Sequence, residues 1–177
     1  LQPTWFLDSD SPVVREFVEG AIGDARSDIE RAVRLYYAIR DGIRYNPYAM
    51  SRDRADFRAS AIAGAESAFC VPKAVFLAAA GRAAGIPSRL GFADVRNHLA
   101  SPQLLEMMGT DVFAFHGYAE FHLEGKWVKA TPAFNLTLCQ RFGVLLEDCR
   151  TGIGRFINAV ADAHDTALAL FDFVLEP

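Results

Sequence analysis

Three cysteines and four histidines are the groups of this 177-residue chain suited to nucleophilic or proton-transfer chemistry near neutral pH. Cys70 stands out by its flanks. Val71-Pro72 follows it, then the apolar run from Lys73 to Ala84, closed by Gly85. Pro72 suits the first turn of a helix and Gly85 the left-handed residue past its end. Cys70 is therefore expected at the N-terminus of a helix that is apolar nearly all round, and so buried on most sides. The thiolate, not the thiol, is the nucleophile, and a free thiol of pKa ~8.5 is only a few per cent ionised at pH 7. A helix N-terminus and a nearby imidazolium both favour the thiolate. On its flanks alone Cys70 reads equally as a nucleophile and as a small buried core residue.

A base has to come from elsewhere in the chain. Val112 to Leu123 alternates, with Phe113, Phe115, Gly117, Ala119, Phe121 and Leu123 on one face and Ala114, His116, Tyr118, Glu120 and His122 on the other. His116 is the candidate base, in mid-strand on the more polar face. His98, His122 and His164 read as structural or surface residues. Glu124-Gly125 suits a two-residue hairpin turn. That turn pairs Leu123 with Lys126, Glu120 with Lys129 and Tyr118 with Thr131. Opposite charges directly across contribute roughly 0.2–1 kcal/mol, and a one-residue slip loses the Glu120–Lys129 pair. Thr131 is then the diagonal neighbour of His116, about 7–8 Å away at the backbone, so its side chain can reach the imidazole.

The elements that must position these groups follow from local signals. Ser11-Pro12 opens a first helix through Val18, and Ser27-Asp28-Ile29-Glu30 is a capping box. The second helix carries Ile29, Ala32, Val33, Tyr36 and Tyr37 on one face and ends near Asp41-Gly42. Residues 46–65 are polar and aperiodic and read as loop. Arg89 to Val95 reads as a strand, Ser101-Pro102 to Met108 as a short helix closed by Gly109, and Trp127 to Ala133 as the returning strand. The segment from His98 to Asp111 is expected to border the cleft. The tail from Gly152 to Pro177 is expected to hold one more helix. Helices first and strands later, with one buried helix between, is an α+β pattern. A single domain over 1–177 is expected, with N-terminal helices at about 11–42, a core at about 43–142 and a tail at 143–177.

Composition narrows the class of function. The chain is 51% hydrophobic and 23% charged, with fourteen Phe and a net charge of −4, as expected of a globular protein with a real core. It has no dense Lys/Arg cluster, which argues against nucleic acid or an anionic membrane as partner. No apolar run reaches the ~18 residues of a membrane span. Cys70, Cys139 and Cys149 form an odd, sparse set rather than a disulfide framework, so a reducing, cytoplasmic setting is expected. There is no C-x-x-C pair and no calcium-loop pattern, and no metal or cofactor is expected. Leu1 is not preceded by Met or by a leader, so a trimmed or processed chain is expected.

Taken together, three motifs resemble the transglutaminase-like superfamily, and Asp94-Val95-Arg96-Asn97-His98 and Lys129-Ala130-Thr131-Pro132-Ala133-Phe134-Asn135 resemble a bacterial branch of it. The first is Ala68-Phe69-Cys70-Val71-Pro72-Lys73-Ala74, then a helix, then Arg82-Ala83-Ala84-Gly85-Ile86-Pro87-Ser88-Arg89. The second is His116-Gly117-Tyr118-Ala119-Glu120, a strand His with an acid four residues on. The third is Trp127-Val128-Lys129-Ala130-Thr131-Pro132. The match runs from about Ile29 to Phe142. The resemblance implies a papain-like core with a Cys-His-Asp triad, whose Cys starts a central helix packed on an antiparallel sheet bearing the His. It implies attack on a carboxamide or peptide carbonyl, a thioester, and capture by water or an amine. Cys70 and His116 carry over directly. Thr131 stands where the family has its acid. A hydroxyl there can still orient the ring, and Asn135 is a second candidate because related cysteine enzymes use Asn. Peptides, proteins or small amides are the expected partners. The alternative is a transglutaminase-like domain that has lost catalysis and binds a protein.

Overall fold

The computed structural model describes residues 1–97, 100–141 and 171–173. Helix α1 (Pro12–Ile22) starts at Ser11 with Pro12 in its first turn. Helix α2 (Asp28–Gly42) is capped by Ser27, whose Oγ accepts from the Glu30 amide at 3.2 Å. The Glu30 carboxylate accepts from the Arg26 amide at 2.7 Å rather than from Ser27, so the capping box closes one residue early. The buried stripe of α2 is Ala32, Leu35, Ile39 and Arg40, rotated from the expected Ile29–Tyr37 face. Burial of Arg40 explains the difference. Its guanidinium pairs with Asp41 at 2.7 Å and lies over the rings of Tyr36 and Tyr37, so the charge enters the protein paired.

A two-residue strand β1 (Arg44–Tyr45) runs parallel to β2 (Ser67–Ala68). Between them the expected loop contains regular structure: a 3-10 turn (Arg54–Phe57), in which Asp53 Oδ1 accepts from the Ala55 amide at 2.8 Å, and helix α3 (Ala59–Ile62), which buries Ala59 and Ile62. These pieces are too short to register as periodicity.

Helix α4 (Cys70–Ala83) is the centre of the molecule, with Pro72 to Gly81 buried and contacts to α1, α2, α3 and two strands. Gly85 ends it with φ of +83°. Strand β3 (Ser88–Asn97) follows, then α5 (Pro102–Met108), capped by Ser101 and closed by Gly109 at φ +69°. Strands β4 (Val112–Leu123) and β5 (Lys126–Ala130) form the expected hairpin. Glu124 and Gly125 both have positive φ, at +48° and +81°, which suits a tight hairpin turn. Leu123 pairs with Lys126 and Glu120 with Lys129, as the turn requires. The ladder stops at Ala130 opposite Ala119, so Thr131 lies one step past it.

The charge pairing differs from expectation. Glu120 binds the Arg89 guanidinium on the other neighbouring strand, and Lys129 lies over the Tyr118 ring at 5.3 Å. Helix α6 (Leu136–Arg141) and strand β6 (Phe171–Phe173) complete the described structure. The sheet is antiparallel, in the order β5-β4-β3-β6. The helix expected in the tail lies outside the described residues, apart from the three that form β6. Against the sheet, Gly81 of α4 permits the closest packing: a methyl group there would meet Phe121 Cε1 at 2.5 Å. The whole is an α+β, papain-like arrangement of a buried helix on an antiparallel sheet.

Candidate active site

Cys70 is the first residue of α4, and the preceding Phe69 is extended, with no side-chain cap. The first-turn amides of a helix have no intrahelical acceptor, so donors of partial positive charge surround the thiol. Cys70 is half-buried and packs on the cluster of Val95, Ala133, Phe134 and Cys139, as do Tyr45 and Phe113.

Strand β4 reaches this point through Gly117. A Cβ there would lie 2.8 Å from Val71 Cα and 3.1 Å from Val71 Cγ2, so only glycine lets the strand approach the helix start so closely. The Gly117 amide lies on the side of Cys70 and favours its thiolate. His116, the residue before it, is buried, with 4% of its surface exposed.

The strict alternation expected of β4 fails at this point. Phe115 is 73% exposed rather than in the core, and His116 and Gly117 are both buried. The cause is a left-handed backbone at Phe115, φ +58°, in a bulge where Ala114 and Phe115 of β4 face the single Asp94 between the Ala93–His116 and Val95–Phe113 pairs. The Asp94 carboxylate accepts from the Phe115 amide at 2.9 Å and holds this conformation. Bulges re-aim side chains in this way, and a non-glycine residue in that region is strained.

Burial dominates the electrostatics. It pushes the Cys70 thiol up, while the amides of Gly117, Val71 and Cys70 pull the other way. It draws the His116 imidazole down to about 4. The resting groups are thus a neutral thiol and a neutral imidazole, not the thiolate and imidazolium that a helix N-terminus alone suggests. Burial raises Tyr45 as well, with the Cys70 charge as a second cause, and both side chains pack on the same apolar cluster. Nothing local in the sequence signals Tyr45. Gly117 did carry a signal, being an isolated glycine within a strand pattern.

Thr131 is half-buried, and its carbonyl accepts from the Tyr36 hydroxyl at 3.3 Å. Asn135 serves a structural purpose. Its Oδ1 accepts from the Tyr45 amide at 2.5 Å, and its Nδ2 donates to the carbonyls of Arg40 and of Ile43, the latter at 2.9 Å. Its amide is committed to holding the 40–45 segment. Lys73, one turn beyond Cys70, is wholly buried and donates to the carbonyls of Arg40, Ile43 and Ala133 at 2.8, 2.6 and 3.0 Å. Burial draws its ammonium down to about 7, and the three carbonyls match its three donors.

His122 meets Trp127 edge to face, ring centres 5.2 Å apart, near the hairpin end, and Cys139 is buried in α6. His98, His164 and Cys149 lie outside the described residues, as does the start of the 98–111 segment. Among the described residues, no group of three or more His, Cys, Asp or Glu is placed to hold a metal ion, and no helix is long and apolar enough to cross a membrane.

The sequence pattern of the transglutaminase-like superfamily matches residues 15–132. No curated protein matches the chain. The crystal structure of a protein from Cytophaga hutchinsonii, described as a "putative cysteine protease", shares the fold with a TM-score of 0.57 at 16% sequence identity. The similarity covers 75% of this chain and 40% of that one.

Proposed function

The chain belongs to the transglutaminase-like superfamily, and from that premise we propose that it is a cysteine acyl-transfer enzyme acting on a carboxamide or peptide carbonyl. Cys70 Sγ attacks the carbonyl carbon. His116 takes the thiol proton as the C–S bond forms and returns it to the departing amine. Water or a second amine then releases the acyl group from the thioester. The observation that carries this reading is the close approach of β4 at Gly117, next to His116, to the first turn of α4 at Val71, beside Cys70. A neutral thiol and a neutral imidazole suit general-base attack, in which the proton moves only as the nucleophile adds. The amides of Cys70 and Val71 are proposed to receive the oxyanion that forms beside the sulfur. Thr131 is proposed to orient the His116 ring from the polar side of the hairpin.

The substrate is proposed to be a peptide, protein or small amide, with water or an amine as acceptor. The test is release of ammonia or amine, and incorporation of an amine donor, from a set of peptide carboxamides, followed by mass spectrometry for an acyl group on Cys70. Cys70→Ala should abolish turnover, and His116→Ala should lower it roughly 10²–10⁴-fold. If no substrate acylates Cys70, the chain is instead a domain of this fold that binds a protein, a reading favoured by the absence of an acid at position 131.

A further inference from the structure

We propose that the cavity beside the start of α4 is a substrate subsite for an aliphatic side chain with a cationic tip, lysine or arginine, carried by the residue next to the carbonyl that Cys70 attacks. This deepens the acyl-transfer reading and rests on it.

The cavity holds about 210 Å³. Pockets for whole small molecules run to ~300–1,000 Å³, so this one is sized for a single side chain. Its position relates it to the nucleophile. Ala68 and Phe69, immediately before Cys70, and Pro72, just after it, form one wall. Cys70 itself is not among the lining residues, and the substrate backbone is proposed to cross the start of α4 between the cavity and Sγ. Phe57 and Ile62 form the opposite apolar side, and the Phe57 and Phe69 rings meet edge to face at 6.0 Å. These walls suit methylene groups.

The polar feature is Asp56, exposed at the edge of the cavity. Ser51 Oγ donates to its Oδ2 at 2.5 Å, and its Oδ1 accepts from no described residue. Two nearby cations are engaged elsewhere. Arg54 lies over Trp5 at 4.3 Å and over Phe6 at 5.0 Å, and Arg58 pairs with Asp8 at 2.9 Å. The cavity therefore presents apolar walls, Ser51 and Ser67, and one carboxylate, which is complementary to a methylene stem with a positive end. An anionic side chain would meet Asp56 with like charge.

The test uses three peptidyl chloromethyl ketones that differ only in the side chain next to the reactive carbonyl: lysine, norleucine or glutamate. Second-order rates of Cys70 alkylation are read by mass spectrometry. The expected order is lysine, norleucine, glutamate, with lysine about two- to fivefold ahead of norleucine, as suits an exposed ion pair. Asp56→Asn should bring lysine and norleucine together, and Asp56→Lys should put glutamate ahead of lysine. Asp56 is exposed, so both variants should fold, which thermal unfolding checks. Equal rates for all three reagents in the unaltered protein, or an unchanged order in Asp56→Lys, overturn the subsite while leaving the acyl-transfer reading intact. If neither these reagents nor iodoacetamide labels Cys70, the acyl-transfer reading fails and the subsite fails with it.

Discussion

At the scale of single residues, the site turns on how burial and nearby dipoles compete at Cys70 and His116. The amides at the helix start favour a thiolate, but desolvation opposes charge on both groups. An acid at position 131 would change that balance, since charge-assisted hydrogen bonds are roughly twice as strong as neutral ones. Thr131→Asp should raise the His116 pKa from its value of about 4 and shift the pH profile of Cys70 alkylation to lower pH. Thr131→Val should shift that profile the other way. Imidazole NMR titration and iodoacetamide rates across pH measure both. Superimposable profiles in the three proteins would show that position 131 does not reach the ring. Asn135 is no substitute, because its amide is occupied by the 40–45 segment.

At the scale of elements, the decisive contact is the one between β4 and the first turn of α4. Gly117 sets its distance, because the atom a methyl group would strike is backbone, Val71 Cα at 2.8 Å, which cannot rotate away. Gly117→Ala should cost about 1–3 kcal/mol of stability by overpacking. It should lower turnover by more than that loss explains, because the strand carrying His116 is pushed off the helix carrying Cys70. Urea unfolding gives the first quantity. Kinetics at a temperature where the variant is fully folded give the second. A variant with wild-type kcat would show that the close approach is packing alone. Lys73 works at the same scale, joining α4 to the end of α2 and to the 133 segment through three carbonyls.

For the whole molecule, the buried imidazole predicts a pH dependence of stability. An unfolded His takes up its proton near pH 6.5, whereas folded His116 does so only near 4. Between those values the unfolded state binds more protons, so stability falls as pH drops from about 6.5 to about 4. The loss from this group should approach about 3 kcal/mol, at ~1.4 kcal/mol per unit of pKa difference. Carboxylates add their own acid dependence in any variant, so the measurement is the difference between wild type and His116→Gln in urea unfolding across that window. Parallel curves would mean that His116 titrates normally in the folded protein.

Much of the framework was legible from local signals. Helix α4 with its proline and closing glycine, the capped α5, the Glu124-Gly125 turn and the hairpin register are set by interactions within a few residues or across one tight turn. They therefore read directly from the sequence, and so do Cys70 at a helix start and His116 on a strand. Other features depended on elements far apart in the chain. Phe115 turns outward because Asp94 on the next strand holds its amide, and periodicity cannot show that. Glu120 chose Arg89 over Lys129 because it has a neighbour on each side within the sheet. The buried stripe of α2 rotated to admit Arg40, whose charge is met by Asp41 and two tyrosine rings. The ionisation of Cys70 and His116 was decided last of all. The sequence by itself determined which side chains could do the chemistry and the elements that bear them. Tertiary structure decided their charge, because desolvation depends on how many distant segments close over a group, and no local window contains that information.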